Sequence, residues 1–341
     1  MGNSASYVPP EKESRIYPQF EADQAAQTGK VFAITGCTTG TGLAAAKLFA
    51  KKGAAQLFLL NRPSPRAEAA LAACEAVAAE GCVVTHVDCD LTDFDAVRQV
   101  AAQVAAETKD SGLDVLCNNA GVMALADRAT KDGYDIQMQT NHLSHFLLTK
   151  ELYPVLVKAV ELRGEARVVN HSSFARNGPP GTKLTAENCE LYLGKNGGDL
   201  GGDGSSMICG GARWVRYAYT KLANVAFTLA LHDKLGDSGV KAVCAAPGLA
   251  ATRLQATTDA DGGMGSGTWF MRWSQSPEDG AVPLLHCCLS SSVESGQLYE
   301  PKGMTGPPVL KDPLEKVCLE ADRAALWAAS EAAVGEWDLD L

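Results

Sequence analysis

Six short apolar runs, rich in β-branched residues, recur along the chain, and longer stretches with helical periodicity separate them. That alternation constrains the fold more than any other feature. The runs are residues 30–35 (KVFAIT), 56–61 (QLFLLN), 82–87 (CVVTHV), 113–118 (LDVLCN), 166–171 (ARVVNH) and 240–246 (VKAVCAA). Near-continuous apolar segments of this length suit strands covered on both faces. The alanine-rich helical stretches fall at 41–52, 65–80, 93–109, 141–163 and 216–236. Strands joined by helices imply a parallel sheet with helices on both sides. The expected fold is therefore α/β: a doubly wound Rossmann-type sheet of about seven strands, in a single domain at 29–341. The seventh strand is expected near 297–300 and a closing helix at 311–333. Hydrophobic residues make up 46% of the chain, enough for a large core.

Three segments break the rhythm. Residues 1–28 are polar, contain Pro9-Pro10, and read as a tail with a few extended residues packed on the domain. Residues 174–215 hold eight glycines between Gly194 and Gly211 and read as a mobile loop. Residues 253–276 place glycines before Trp269, Phe270, Met271 and Trp273, a pattern for a hinged lid with an apolar inner face.

The formal net charge of −10 offers no basic field for a phosphate backbone, so nucleic acid is not an expected partner. Eleven scattered cysteines without a Cys-x-x-Cys pair read as reduced thiols of an intracellular protein. No apolar run approaches the roughly 18 residues that span a bilayer, and no secretory segment opens the chain. The start, MGNSAS, fits an N-myristoylation pattern at Gly2, and an ordinary polar leader fits it equally well. A single acyl chain would give weak, reversible membrane attachment.

The segment ITGCTTGTG follows the first strand and opens the first long helix. Its Gly36, Thr38, Gly40, Thr41 and Gly42 stand where a backbone turn approaches a pyrophosphate at a helix N-terminus. The second strand ends in Asn61-Arg62 rather than an acidic residue. A guanidinium there suits the 2′-phosphate of NADP(H) over the free hydroxyl of NAD(H), with an exposed surface arginine as the competing reading. Asp90 and Leu91 follow the third strand, and Asn118, Ala120 and Gly121 follow the fourth. Both lie at strand carboxyl ends, where open α/β sheets bind ligands. Asp90 suits an adenine amino group, and Asn118 suits a backbone cross-link beneath the cofactor or simple turn chemistry.

Taken in order, TGCTTGTG, CDL, NNAG, TNHLSHFLLT, RVVNHSS, YAYTK and PGLAAT resemble the short-chain dehydrogenase/reductase family. The flanking residues are similar to its retinol dehydrogenase and WW-domain oxidoreductase branch, to which the protochlorophyllide reductases are related. The resemblance spans roughly residues 29–305. It implies a catalytic tetrad of Asn141, Ser173, Tyr217 and Lys221, and a nicotinamide-contacting loop at Pro247, Gly248 and Thr252.

Tyr217 is also the only one of the eight tyrosines with a lysine four residues later. On a helix the pair shares one face, whereas Tyr219 points elsewhere. A nearby ammonium favours phenolate, the tuning a tyrosine acid–base needs. The expected activity is carbonyl–alcohol interconversion on a bulky lipophilic substrate such as a retinoid, steroid or lipid aldehyde. Tyr217 would carry the proton, Ser173 would hold the substrate oxygen, and Trp214, Trp269, Phe270 and Trp273 would line the pocket. Reduction of a protochlorophyllide-like double bond and a non-catalytic nucleotide-binding scaffold are the alternatives. No metal is expected: His142, His145 and His171 lack carboxylate or cysteine partners at ligand spacing and read as packing or surface residues. A homodimer through the helices at 141–163 and 216–236 is implied by the resemblance.

Overall fold

The computed structural model describes residues 11–205, 210–264, 271–311, 314 and 318–339. Helix α1 (Tyr17–Asp23) precedes β1 (Val31–Thr35), α2 (Gly40–Lys51), β2 (Gln56–Asn61), α3 (Pro65–Glu75), β3 (Val83–Asp88), α4 (Phe94–Thr108) and β4 (Val115–Asn118). One helical turn, α5 (Ile136–Met138), passes through a π turn (Gln139–Leu143) into α6 (Ser144–Arg163). Then come β5 (Ala166–His171), α7 (Ala186–Leu193), α8 (Ala212–Leu235), β6 (Val240–Ala245) and α9 (Arg253–Ala260). The chain closes with α10 (Pro277–Leu289), β7 (Leu298–Pro301), β8 (Pro308–Leu310) and α11 (Glu320–Val334).

Among the described residues the strands form one sheet in the order β3-β2-β1-β4-β5-β6-β7-β8. The first seven run parallel, and β8 pairs antiparallel with β7. Alternation along β1 serves two cores, since successive side chains leave a strand on opposite faces. Phe32 and Ile34 pack with Phe49 of α2 and Leu284 of α10. Val31 and Ala33 join the opposite core with Phe94, Phe146 and Phe227 of α4, α6 and α8. Local chemistry sets the helix ends. Ser64 and Asp93 accept N–H groups of the first turns of α3 and α4, and Gly164 closes α6 with φ +82°. The strand order reverses between β1 and β4, which opens a crevice at their carboxyl ends.

The structure departs from expectation in three places. The stretch after Leu310 does not continue a helix from 311; β8 extends the sheet, and α11 starts only at Glu320. The glycine-rich stretch carries the helix α7, and α8 begins within it at Ala212. Its described loop is tied down, because Asp127 accepts the N–H groups of Gly198, Leu200 and Gly202. In the N-terminal segment α1 forms, held by the Asp279 carboxylate, which accepts from the N–H groups of Arg15, Ile16 and Tyr17 at 2.8–3.1 Å. The C-terminal segment packs on α6 and α8. Trp327 and Trp337 stand 4.9 and 5.3 Å from the Phe146 ring and also flank Phe227.

Candidate active site

The crevice above β1 and β4 is a cleft of about 1370 Å³. Its floor at one end is the glycine turn. Gly36 has φ +67°, and a Cβ there would stand 2.6 Å from Ala120 Cα. A Cβ on Gly42 would overlap the Asn119 amide. Glycine is thus required for β1, α2 and the β4 loop to close on one another. The Asn61 amide oxygen, at the end of β2, accepts the Cys37 N–H at 2.8 Å and fixes the turn from below. Thr39 precedes α2 in an extended conformation without a side-chain cap, so the first-turn N–H groups are left for a ligand. Thr38, Gly40, Thr41, Arg62, Asp90 and Leu91 all line this end, together with Arg66. The Asp90 carboxylate holds Thr92 through its N–H and hydroxyl.

The asparagine pair after β4 divides its roles differently from expectation. Asn118 is buried behind the sheet ends, donating to Thr149 at 3.0 Å and Asn170 at 2.9 Å, and does not line the cleft. Asn119 makes the cross-link instead, with its amide nitrogen donating to the carbonyls of Thr35 and Gly36 at 2.9 and 3.0 Å. β4 ends at Asn118, and the pleat sends successive side chains to opposite sides. Ala120 and Gly121 follow in the lining.

At the other end Ser173, Tyr217 and Lys221 line the cleft together. Ser173 ends the loop after β5, its oxygen accepting the Ala175 N–H that starts a 3₁₀ turn. Ser172 donates to the Lys221 carbonyl at 2.7 Å, which docks α8 on β5. Lys221 donates to the His171 carbonyl at 3.0 Å, and burial lowers its pKa to about 8. Asn141 sits in the π turn, a distortion often found at functional sites. Its side chain clamps both backbone groups of Val122 and donates to Thr220 at 2.9 Å. A Cβ on Gly121 would stand 3.3 Å from both Asn141 Oδ1 and Lys221 Nζ. Tyr219 turns away and stacks on Tyr192 of α7, ring centres 3.9 Å apart.

Pro247, Gly248 and Thr252 line the same end. Gly248 has φ +65°, and a Cβ there would overlap the Met304 carbonyl. The Thr252 N–H and hydroxyl both reach Gln255 at the start of α9. Around Tyr217 stands an apolar wall of Met123, Ala124, Trp214 and Met264. Trp214 meets Tyr217 edge-on at 6.0 Å and donates to the Gly263 carbonyl at 3.0 Å. Trp273 corrects an expectation: it is 55% exposed beneath the Arg272 guanidinium and does not line the cleft. The 3₁₀ turn at 271–273 buries Met271 in the lining and turns Trp273 outward. Trp269 and Phe270 lie outside the described residues. No sequence pattern marks Met123 or Met264, which come from separate loops.

His142 and His145 are buried in hydrogen bonds to Ser330 and to Thr35 and Asn141, and burial lowers their pKa values to about 3 and about 4. Ten of the eleven cysteines fall in the described residues, all as free thiols. Among the described residues no helix is long and apolar enough to cross a membrane.

Glycine turn, uncapped helix and a tyrosine–lysine pair in one crevice define a dinucleotide-binding oxidoreductase. Residues 30–183 match the family model described as short chain dehydrogenase. The chain is 32% identical to bovine (Bos taurus) retinol dehydrogenase 12 over 80% of its length and 77% of that protein. It is 30% identical to human retinol dehydrogenase 11 over 78% of its length and 74% of that protein. A crystal structure of a protein from Mycobacterium paratuberculosis superposes with a TM-score of 0.68 at 28% identity, covering 96% of this chain and all of that one. The chain belongs to the short-chain dehydrogenase/reductase family, oxidoreductases whose fold binds nicotinamide cofactors.

Proposed function

We propose that the protein interconverts a carbonyl and an alcohol on a bulky lipophilic substrate with NADP(H), using Tyr217 as the general acid–base. The bound dinucleotide supplies or takes up hydride. Ser173 hydrogen-bonds the substrate oxygen, where charge grows in the transition state. Tyr217 delivers the proton to that oxygen, or removes it in the reverse direction. Lys221 holds positive charge beside the phenol, and Asn141 fixes the Val122 loop against it. The observation that carries this reading is the convergence of Ser173, Tyr217 and Lys221 beneath the wall of Met123, Trp214, Met264 and Met271. That apolar wall beside Tyr217 suits a lipophilic rather than a sugar-like substrate. The similarity to retinol dehydrogenases 11 and 12 supports a retinoid-, steroid- or lipid-like carbonyl.

Arg62 and Arg66 support NADP(H), since both line the adenine end and can face a 2′-phosphate. Gly2 lies outside the described residues, and weak membrane attachment through its acylation belongs to this proposal. The test is NADPH consumption with a panel of lipophilic aldehydes and ketones. Turnover that Tyr217→Phe abolishes supports the reading. NADPH binding with no turnover of any of them would leave a nucleotide-binding scaffold.

A further inference from the structure

The turn that Ser173 caps contains a buried guanidinium. Arg176 lies three residues after Ser173 in the 3₁₀ turn and is 2% exposed. A charge taken out of water is costly unless it is paired and hydrogen-bonded. One terminal nitrogen of Arg176 donates to the Ser173 carbonyl at 3.0 Å, and the other donates to a Glu300 carboxylate oxygen at 2.7 Å. Its Nε has no partner among the described residues, so these two contacts hold the group. Glu300 lies on β7, and its second carboxylate oxygen stands 3.1 Å from Lys311 Nζ, just past the end of β8. The loop after β5 is thereby tied across β6 to the outer edge of the sheet.

Ser172 is fixed by its own bond to the Lys221 carbonyl, and Ser173 is not. The Ser173 Oγ accepts the Ala175 N–H at 3.2 Å, which leaves its O–H to donate. Where that proton points is set by the backbone that carries it. A planar guanidinium that bridges the Ser173 carbonyl and a carboxylate fixes the peptide plane, and a lysine, as a point charge, has no fork to do so. Ser173, Glu300 and Lys311 line the cleft, whereas Arg176 does not, so it can reach the chemistry only through Ser173. The geometry points to Arg176 as a positioning residue: through the Ser173 carbonyl it holds the hydroxyl in place for the substrate oxygen. Glu300, backed by Lys311, holds Arg176. The assignment rests on the reading of Ser173 given above and adds a residue behind it.

The test is a double-mutant cycle on the full chain, with NADPH and either retinal or decanal as the carbonyl. Ser173→Ala should lower kcat about 10²-fold, the scale of one donor to a developing oxyanion. Arg176→Met should lower kcat about tenfold with KM little changed, because a misplaced hydroxyl is felt mainly in the transition state. The double variant should be no slower than Ser173→Ala alone, since Arg176 then has nothing left to position. Arg176→Lys keeps the charge against Glu300 without the fork and should recover only part of the loss. NADPH affinity, read by tryptophan fluorescence, should be the same in all of them. Arg176→Met at the wild-type kcat, full recovery by lysine, or a tenfold loss that persists in the Ser173→Ala background overturns the assignment alone. Ser173→Ala at the wild-type rate, or wild type that reduces neither aldehyde, overturns the reading of Ser173 and the assignment with it. Crystals of Arg176→Met give a readout apart from turnover: the Ser173 carbonyl should leave its wild-type place, and an unmoved carbonyl overturns the assignment. Should Arg176→Met not fold, the cycle and the crystals are taken with Arg176→Lys under the same criteria.

Discussion

The Lys221 ammonium lies 5.8 Å from the centre of the Tyr217 ring. The two residues stand one helical turn apart on α8, and the lysine is held there by the His171 carbonyl. Tyr217→Phe removes the phenol proposed to carry the proton and little else. The turnover rate should fall by about 10²- to 10⁴-fold, with NADPH affinity unchanged by fluorescence titration. A variant retaining a tenth of the wild-type rate would transfer the acid–base role elsewhere.

Lys221 also marks stability. Its folded pKa of about 8 lies below the ordinary lysine value because burial disfavours the ammonium. Between about pH 8 and 10.5 the unfolded chain binds the extra proton, so wild type gains stability as pH rises through that window. Below about pH 8 the term is flat. Lys221→Met lacks the group, so its thermal midpoint should lose ground to wild type between pH 8 and 10. A difference that is constant across that range would show the lysine is not desolvated.

Arg62 and Arg66 line the cleft at its glycine-turn end. Arg62→Leu should lower kcat/KM for NADPH by about tenfold or more while leaving NADH nearly unaffected. Equal losses for both cofactors would assign the arginine a structural role.

The residue before Tyr217 anchors α8. Arg216 is buried, within 3.6 Å of Asp127 and 3.4 Å of Asp135, and donates to the carbonyls of Leu125, Leu200 and Gly202. Arg216→Met would strand two buried carboxylates and should cost about 3–5 kcal/mol in urea unfolding. Burial raises the Asp135 pKa to about 6. The folded state then binds the extra proton between about pH 4 and 6, so wild type loses stability as pH rises through that window. Asp135→Asn lacks this slope, and its unfolding midpoint should gain on wild type from pH 4 to 6 and run parallel above.

Trp327 and Trp337 pack against Phe146 and Phe227, so the C-terminal segment occupies part of the surface of α6 and α8. Light scattering after size exclusion should give a mass near 36 kDa, the chain mass being 35.8 kDa. A stable dimer that survives substitution of exposed residues elsewhere would require α11 to be displaced.

The sequence by itself determined the layering and the pairing of Tyr217 with Lys221 on one helical face. Apolar runs at strand length, separated by helical periods, admit a parallel sheet covered on both faces and little else. The four-residue spacing of Tyr217 and Lys221 fixes their shared face, because helical geometry is local. Glycine at 36 and 42 was legible for the same reason: a tight strand–helix turn is specified within a few residues. The rest is long-range. Which of Asn118 and Asn119 reaches the glycine turn depends on where β4 ends against its neighbours. Met123 and Met264 meet at Tyr217 only after separate loops converge, and Trp273 turns outward because Met271 takes the inner place. The glycine-rich stretch reads as loose in isolation, yet the Asp127 carboxylate, from another loop, ties it down. Periodicity encodes what neighbouring residues do together, and contacts between distant segments carry no such imprint in the order of residues.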